Sequence, residues 1–152
     1  MKVQKIFDRR GLLLAFHVRR GLPGVDDVGC QFLTPPEYDQ QVAVINHVAG
    51  KEIAPHKHTR YTKTVHSSSE TLIINKGRLR YSIYDKFNQL VSAGIAVEGD
   101  VLTLIDGGHS FVAETEVSMI EVKQGPFLLN TKTFFTPGVS DAVATTSPAT
   151  GD

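Results

Sequence analysis

The chain has 152 residues, with 16 basic and 16 acidic side chains and a formal net charge of zero. That length builds one domain around a real hydrophobic core, and 41% apolar with 21% charged residues excludes a wholly disordered chain. A pI near 7 excludes nucleic-acid binding driven by net charge. The single cysteine, Cys30, has no partner within the chain for a disulfide, so nothing marks an oxidising compartment. The early apolar run Leu12–Phe16 is too short to span a bilayer and is followed by His17, Arg19 and Arg20 rather than a cleavage site. The expectation is a cytoplasmic protein without membrane segments.

In chain order, Val3–Phe7 and Leu12–Val18 read as strands around the turn Asp8-Arg9-Arg10-Gly11. Gly21 to Asp27 reads as a loop, and Thr34-Pro35-Pro36 as another break. Short apolar segments between turn signals then follow: Gln41–Val48, Glu52–His58, Thr71–Ile74, Arg78–Tyr84, Leu90–Val97, Val101–Ile105, His109–Ala113 and Ser118–Val122. No stretch offers a helical period, so the pattern predicts an all-β antiparallel sandwich or barrel. The expected organisation is an N-terminal β-hairpin arm over residues 1–34, a barrel over 35–135 and a flexible tail over 136–152. The tail beyond Thr136 has no aromatic, lysine or arginine residue to anchor it.

The unusual feature of the composition is six histidines with no tryptophan. His56 and His58 stand two apart, and in a strand such residues share a face, so both rings can converge on one ion. Imidazole suits Zn, Cu, Fe and Ni, and oxygen ligands extend the range to Mn. The order is Gly50-x5-His56-x-His58, then Glu70-x6-Gly77, then Gly99 with His109 ten residues on.

This arrangement resembles the two motifs of the cupins. The resemblance covers residues 41–125 and implies a double-stranded β-helix, a jelly-roll barrel with one divalent transition metal (Fe, Mn, Ni or Zn) in its mouth. The ligands it implies are His56, His58, Glu70 and His109. The chain departs from the family pattern, with His109 one residue early relative to Gly99. Eleven residues separate His58 from Glu70 where the family has three or four, Ile105 stands at a usual proline, and Ala113 at a usual asparagine. His66, inside the long stretch, is the alternative to Glu70. More narrowly, Phe32-Leu33-Thr34-Pro35, Pro55-His56-Lys57-His58 and the run from Ile120 to Phe127 resemble uncharacterised cupins associated with polysaccharide and nucleotide-sugar pathways.

The stretch between the ligand positions carries Lys57, Arg60 and Lys63, with Tyr61 and His66 among them and no acid. It reads as an anion clamp or as a solvated loop. On the last strand Glu121 and Lys123 share one face with Met119, and Ile120 and Val122 share the other. Either face can be the inner one; the apolar pair inward is the expectation. With the charged pair inward instead, Glu121 and Lys123 become a catalytic acid–base pair. Arg60, Lys63, His66, Tyr81 and Phe111 are the candidate substrate contacts, the two aromatics as core or cavity walls. His17 and His47 are read as background.

The expected function is a metal-binding small-molecule protein, an isomerase or epimerase on a carbohydrate-like or anionic polar substrate. An Fe(II)-dependent dioxygenase and a non-catalytic binding protein are the alternatives. Open edges on the N-terminal hairpin predict a homodimer formed by exchanging strands.

Overall fold

The structure, a computed structural model, describes residues 2–20, 29–126, 129 and 132–138. Its ten strands are β1 (Lys2–Phe7), β2 (Leu13–Arg19), β3 (Gly29–Phe32), β4 (Ala43–Asn46), β5 (Glu70–Lys76), β6 (Arg78–Tyr84), β7 (Leu90–Val97), β8 (Val101–Leu104), β9 (Gly108–Ala113) and β10 (Ser118–Lys123). The fold is all-β, with no helix among the described residues, and so none long and apolar enough to cross a membrane.

Three sheets form, all with antiparallel strand pairing: β1-β2-β8-β5-β10, β7-β6-β9 and the ribbon β3-β4. Local chemistry fixes the tight turns. The Asp8 carboxylate accepts the backbone N–H of Arg10 at 2.8 Å and of Leu12 at 2.9 Å. Asp85 does the same for Phe87 and Gln89, at 2.9 and 3.0 Å. Both are Asx turns that reverse the chain between paired strands. Gly77 turns β5 into β6 with φ of 92°, and a Cβ there would run into the Glu116 carbonyl.

The main core lies between the five-stranded and three-stranded sheets. Ile6, Leu14, Leu72, Ile74, Leu102 and Leu104 from one meet Leu79, Tyr81, Ile83 and Ala96 from the other. A second core, built on Leu13, Phe16, Val18, Leu33 and Ile105, lies under the β3-β4 ribbon, with Val42 and Val44 packed against it. β2 therefore has a packed layer on each side. Its first six residues are all buried, which explains why its sequence is a continuous apolar run rather than an alternation. Among the described residues the sandwich does not close into a barrel: β9 and β10 each end a sheet, and no strand pairing joins them on that open side.

A buried polar chain ties the layers together. His17 is fully buried; its Nε2–H donates to Asp100 Oδ2 at 2.8 Å and its Nδ1 accepts from the Tyr81 hydroxyl at 3.2 Å. Asp100 also accepts the backbone N–H of Arg20 at 2.9 Å and of Val97 at 3.0 Å. These partners assign the neutral tautomer of the ring. Burial pushes the imidazole below its ordinary value, against the opposing pull of Asp100. Tyr81 lies across Gly94 of β7, where any Cβ would meet its ring and hydroxyl.

Several expectations need correction. Glu52–His58 is not a strand: residues 47–69 form no strand, and 48–66 are exposed throughout. Pro55 has no N–H to give a ladder, and Lys51, Glu52, His56, Lys57 and His58 leave no apolar face to bury. β3 is not among the expected strands; it has only four residues and begins at Gly29. The N-terminal hairpin joins the main sheet, where β2 pairs with β8. The loop expected from Gly21 to Asp27 lies outside the described residues. So does the expected tail beyond Gly138. Gly138 itself bridges to Gln89, and its N–H donates to Asn88 O at 2.8 Å.

Replacing Asp100 by alanine takes the acceptor from the buried His17 ring and from two part-buried backbone N–H groups. Asp100→Ala is expected to lose roughly 2–4 kcal/mol of unfolding free energy in urea titrations. Because the folded pKa of His17 lies below the ordinary 6.5, the unfolded chain binds more protons beneath that value. His17 therefore withdraws none of the stability above about pH 6.5 and progressively more as the pH falls below it. Urea titrations across that range should record the decline, and His17→Gln should flatten it.

Candidate functional site

The register of β10 on β5 sets the polarity of the open end. Glu121 lies opposite Leu72, and Lys123 opposite Glu70. Residues directly opposite in an antiparallel pair share a face, and Leu72 belongs to the main core. Met119, Glu121 and Lys123 therefore take the inner face. Ile120 and Val122 take the outer face and stay exposed, at 50% and 48%. This reverses the expected orientation.

On the facing sheet, β9 pairs with β6 so that Phe111 lies opposite Tyr81, with His109 two residues away on the same side. His109 Nε2 stands 3.4 Å from Glu70 Oε2, and its ring leans on Phe111 with centroids 5.2 Å apart. Lys123 Nζ lies 3.5 Å from Glu70 Oε1 and 3.3 Å from Glu121 Oε2. Two carboxylates, an ammonium and an imidazole thus meet where the apolar core ends. Burial lowers the His109 pKa; Glu70 and Glu121 act against it, and Lys132 adds to it. The hydrogen bond to Glu121, joined by Glu70, raises that of Lys123. The lowered pKa favours the uncharged His109 ring, beside an ammonium whose charge is reinforced.

The other expected ligands lie elsewhere. His56 and His58 sit on the exposed segment, their rings neighbours with centroids 5.4 Å apart. His56 Nδ1–H donates to Ala54 O at 2.9 Å. The four residues thus fall into two pairs, His56 with His58 and Glu70 with His109. Among the described residues no three His, Cys, Asp or Glu groups gather as a metal ion needs. His66 joins neither pair: Asp39 accepts its backbone N–H at 2.7 Å, and the ring lies 3.7 Å from the same carboxylate. It borders a separate cavity of about 360 Å³ with Tyr38, Ser67, Ser69 and Ile105.

Of the expected substrate contacts, Phe111 borders the cluster, whereas Tyr81 is a core residue only 1% exposed, with its hydroxyl on His17. Lys57, Arg60 and Lys63 are exposed on the loop, Lys63 Nζ 5.2 Å from the centroid of the Tyr61 ring. Sequence reasoning missed the Asp39–His66 contact and the His17–Asp100–Tyr81 chain. Their members are far apart in sequence, and no spacing marks them. It also missed Gln40 and Gln124, each of which leaves one buried amide atom without a partner beside Ser69 and Thr71.

Searches of protein families, curated proteins and solved structures return no match for this chain.

Because Glu70 raises the His109 pKa while burial lowers it, Glu70→Gln is expected to lower it further. An NMR titration of the histidine ring protons in chelator-treated protein reads this directly. An upward movement would contradict the arrangement.

Proposed function

We propose that the chain is a cupin-type protein that binds a small polar molecule at the open end of the sandwich. There it acts as an isomerase or epimerase on a carbohydrate-like or otherwise anionic substrate. The observation that carries this reading is the meeting of Glu70, His109, Glu121 and Lys123 at the end of an otherwise apolar core. Ionisable groups turned toward a core face cost stability, and such clusters concentrate at functional sites. The cupin reading is supported by the motif residues and by two facing antiparallel sheets that carry Glu70 and His109 on opposite sides of one interior.

Lys123 holds a substrate carbonyl oxygen by charge and stabilises the negative charge that grows on it. Glu121, the more exposed of the two carboxylates, removes the proton from the carbon beside the carbonyl. It returns that proton to the neighbouring carbon, so atoms and electrons balance without a redox partner. Glu70 keeps the ammonium oriented, and the neutral His109 ring relays a proton between substrate oxygens. Lys57, Arg60 and Lys63 supply cations for the substrate's anionic end.

A divalent transition metal on Glu70, His109, His56 and His58 would polarise substrate oxygens. The donors suit such an ion in kind, and a neutral His109 is the form that binds metal. Their present separation into two pairs does not yet make a site, so the proton steps are drawn from the chain's own groups. A non-catalytic binding role has one observation in its favour, that Lys123 already pairs with both carboxylates.

Incubation with phosphorylated and carboxylated sugars in D2O tests the reaction. Deuterium is expected at the carbon beside the carbonyl, with Glu121→Gln slowing entry by about 100-fold or more. Binding with no exchange for any substrate would leave the binding role. Metal analysis is a separate test: stoichiometric metal, lost in both His56→Ala and His109→Ala, is expected of a four-residue site. A metal-free wild-type protein would remove the ion from the proposal.

A further inference from the structure

β10 ends the five-stranded sheet, and all six of its residues are exposed. Its backbone pairs with β5 on one side, and among the described residues no strand pairs with its other side. An open edge of this kind is a template for a further strand. The outer face offers Ile120 and Val122, both about half exposed, and the inner face offers Met119 at 42%. Between them stand one acid and one base, Glu121 and Lys123, two residues apart.

A strand with opposite charges at that spacing complements a second copy of itself running antiparallel. Across a two-fold axis normal to the sheet, residues opposite each other must share a face, so the axis passes through a single residue position. Centred on Val122, the pairing sets Glu121 of each copy against Lys123 of the other, twice. It also sets Val122 against Val122 and Ile120 against Gln124. Centred on Glu121, it would bring the two Glu121 carboxylates together. Centred on Ile120, it would set Glu121 against Met119. The other open edges lack this complementarity. β1 carries Lys2 and Lys5 with no acid, and β7 and β9 carry no Lys, Arg, Asp or Glu.

We propose that β10 is a homodimerisation edge, joining two copies of the five-stranded sheet into one continuous antiparallel sheet about an axis at Val122. The interface does not depend on the reaction assigned above. It brings Lys123 of the second copy beside Glu121, at the rim of the inner cluster, so each copy supplies a cation to the site of the other.

Sedimentation equilibrium of the full chain, with far-UV circular dichroism to verify folding, tests this by charge reversal. The wild-type chain is expected to dimerise. Glu121→Lys and Lys123→Glu each turn two attractive pairs into two repulsive ones, and each should weaken self-association by about tenfold or more. Mixing the two variants restores every pair, and the mixture should form a heterodimer at least as tight as the wild-type dimer. The double variant E121K/K123E also keeps the complementarity and should dimerise like the wild type, which covers the case of a single variant that fails to fold. A wild-type monomer at the highest concentration reached would overturn the proposal. So would a dimer indifferent to both reversals, or a mixture no tighter than its components. Hydrogen exchange identifies one competing occupant: a monomer in which residues 51–58 and β10 are protected together would mean that the chain covers its own edge.

Discussion

The carboxylate of Asp100 holds the layers of this protein in register. It stands in the turn between β7 and β8 and accepts hydrogen bonds from the His17 ring on β2 and from the backbone N–H groups of Arg20 and Val97. Its own carbonyl receives the N–H of Ile74 at 3.0 Å, so β5 is fastened at the same point. Through His17 the chain of hydrogen bonds crosses to Tyr81 on the opposite sheet. A network of this depth is stabilising only when every member is satisfied. Here each charge or dipole meets a partner, and the surrounding apolar residues strengthen those contacts by excluding water. The close fit of Tyr81 over Gly94 belongs to the same junction.

With the sheets fixed in this way, the register of β10 on β5 decides what the open end contains. One residue of slip would exchange the two faces of β10, turning Ile120 and Val122 inward and Glu121 and Lys123 out. The observed register instead puts both charged groups beside Glu70, and His109 approaches from the facing sheet. The site is thus a consequence of pairing, built from three strands and two sheets, and no single segment of the chain encodes it.

That is why the sequence revealed the strands better than the site. Arg78–Tyr84 and Leu90–Val97 are observed with the bounds that apolar content and turn residues imply, because local chemistry at Gly77 and Asp85 sets their ends. Glu70 and His109 lie at the starts of β5 and β9, and only His109 follows a turn marked in the sequence, Gly107-Gly108. The orientation of β10 was not legible, since the apolar content of Ile120 and Val122 argues for the wrong face and register is a long-range property. His17 looked like background because its partners lie 64 and 83 residues away. The strand expected over Glu52–His58 rested on two histidines and a few apolar residues, and Pro55 with its charged neighbours gave it nothing to pack.

The segment between β4 and β5 sets a thermodynamic condition on whatever binds there. Residues 48–66 make no strand pairing and are exposed throughout, so little packing offsets the conformational entropy of fixing them in a new position. Holding a residue in one backbone conformation costs about 1–2 kcal/mol. A ligand that draws His56 and His58 onto the sandwich must therefore offset that cost for each residue it newly confines, and its apparent affinity falls short of what its coordination chemistry alone would give. The length of this connection thus acts as a brake on affinity and makes binding there sensitive to temperature. Substitutions that stiffen the segment, far from any ligand atom, would tighten binding without adding a contact.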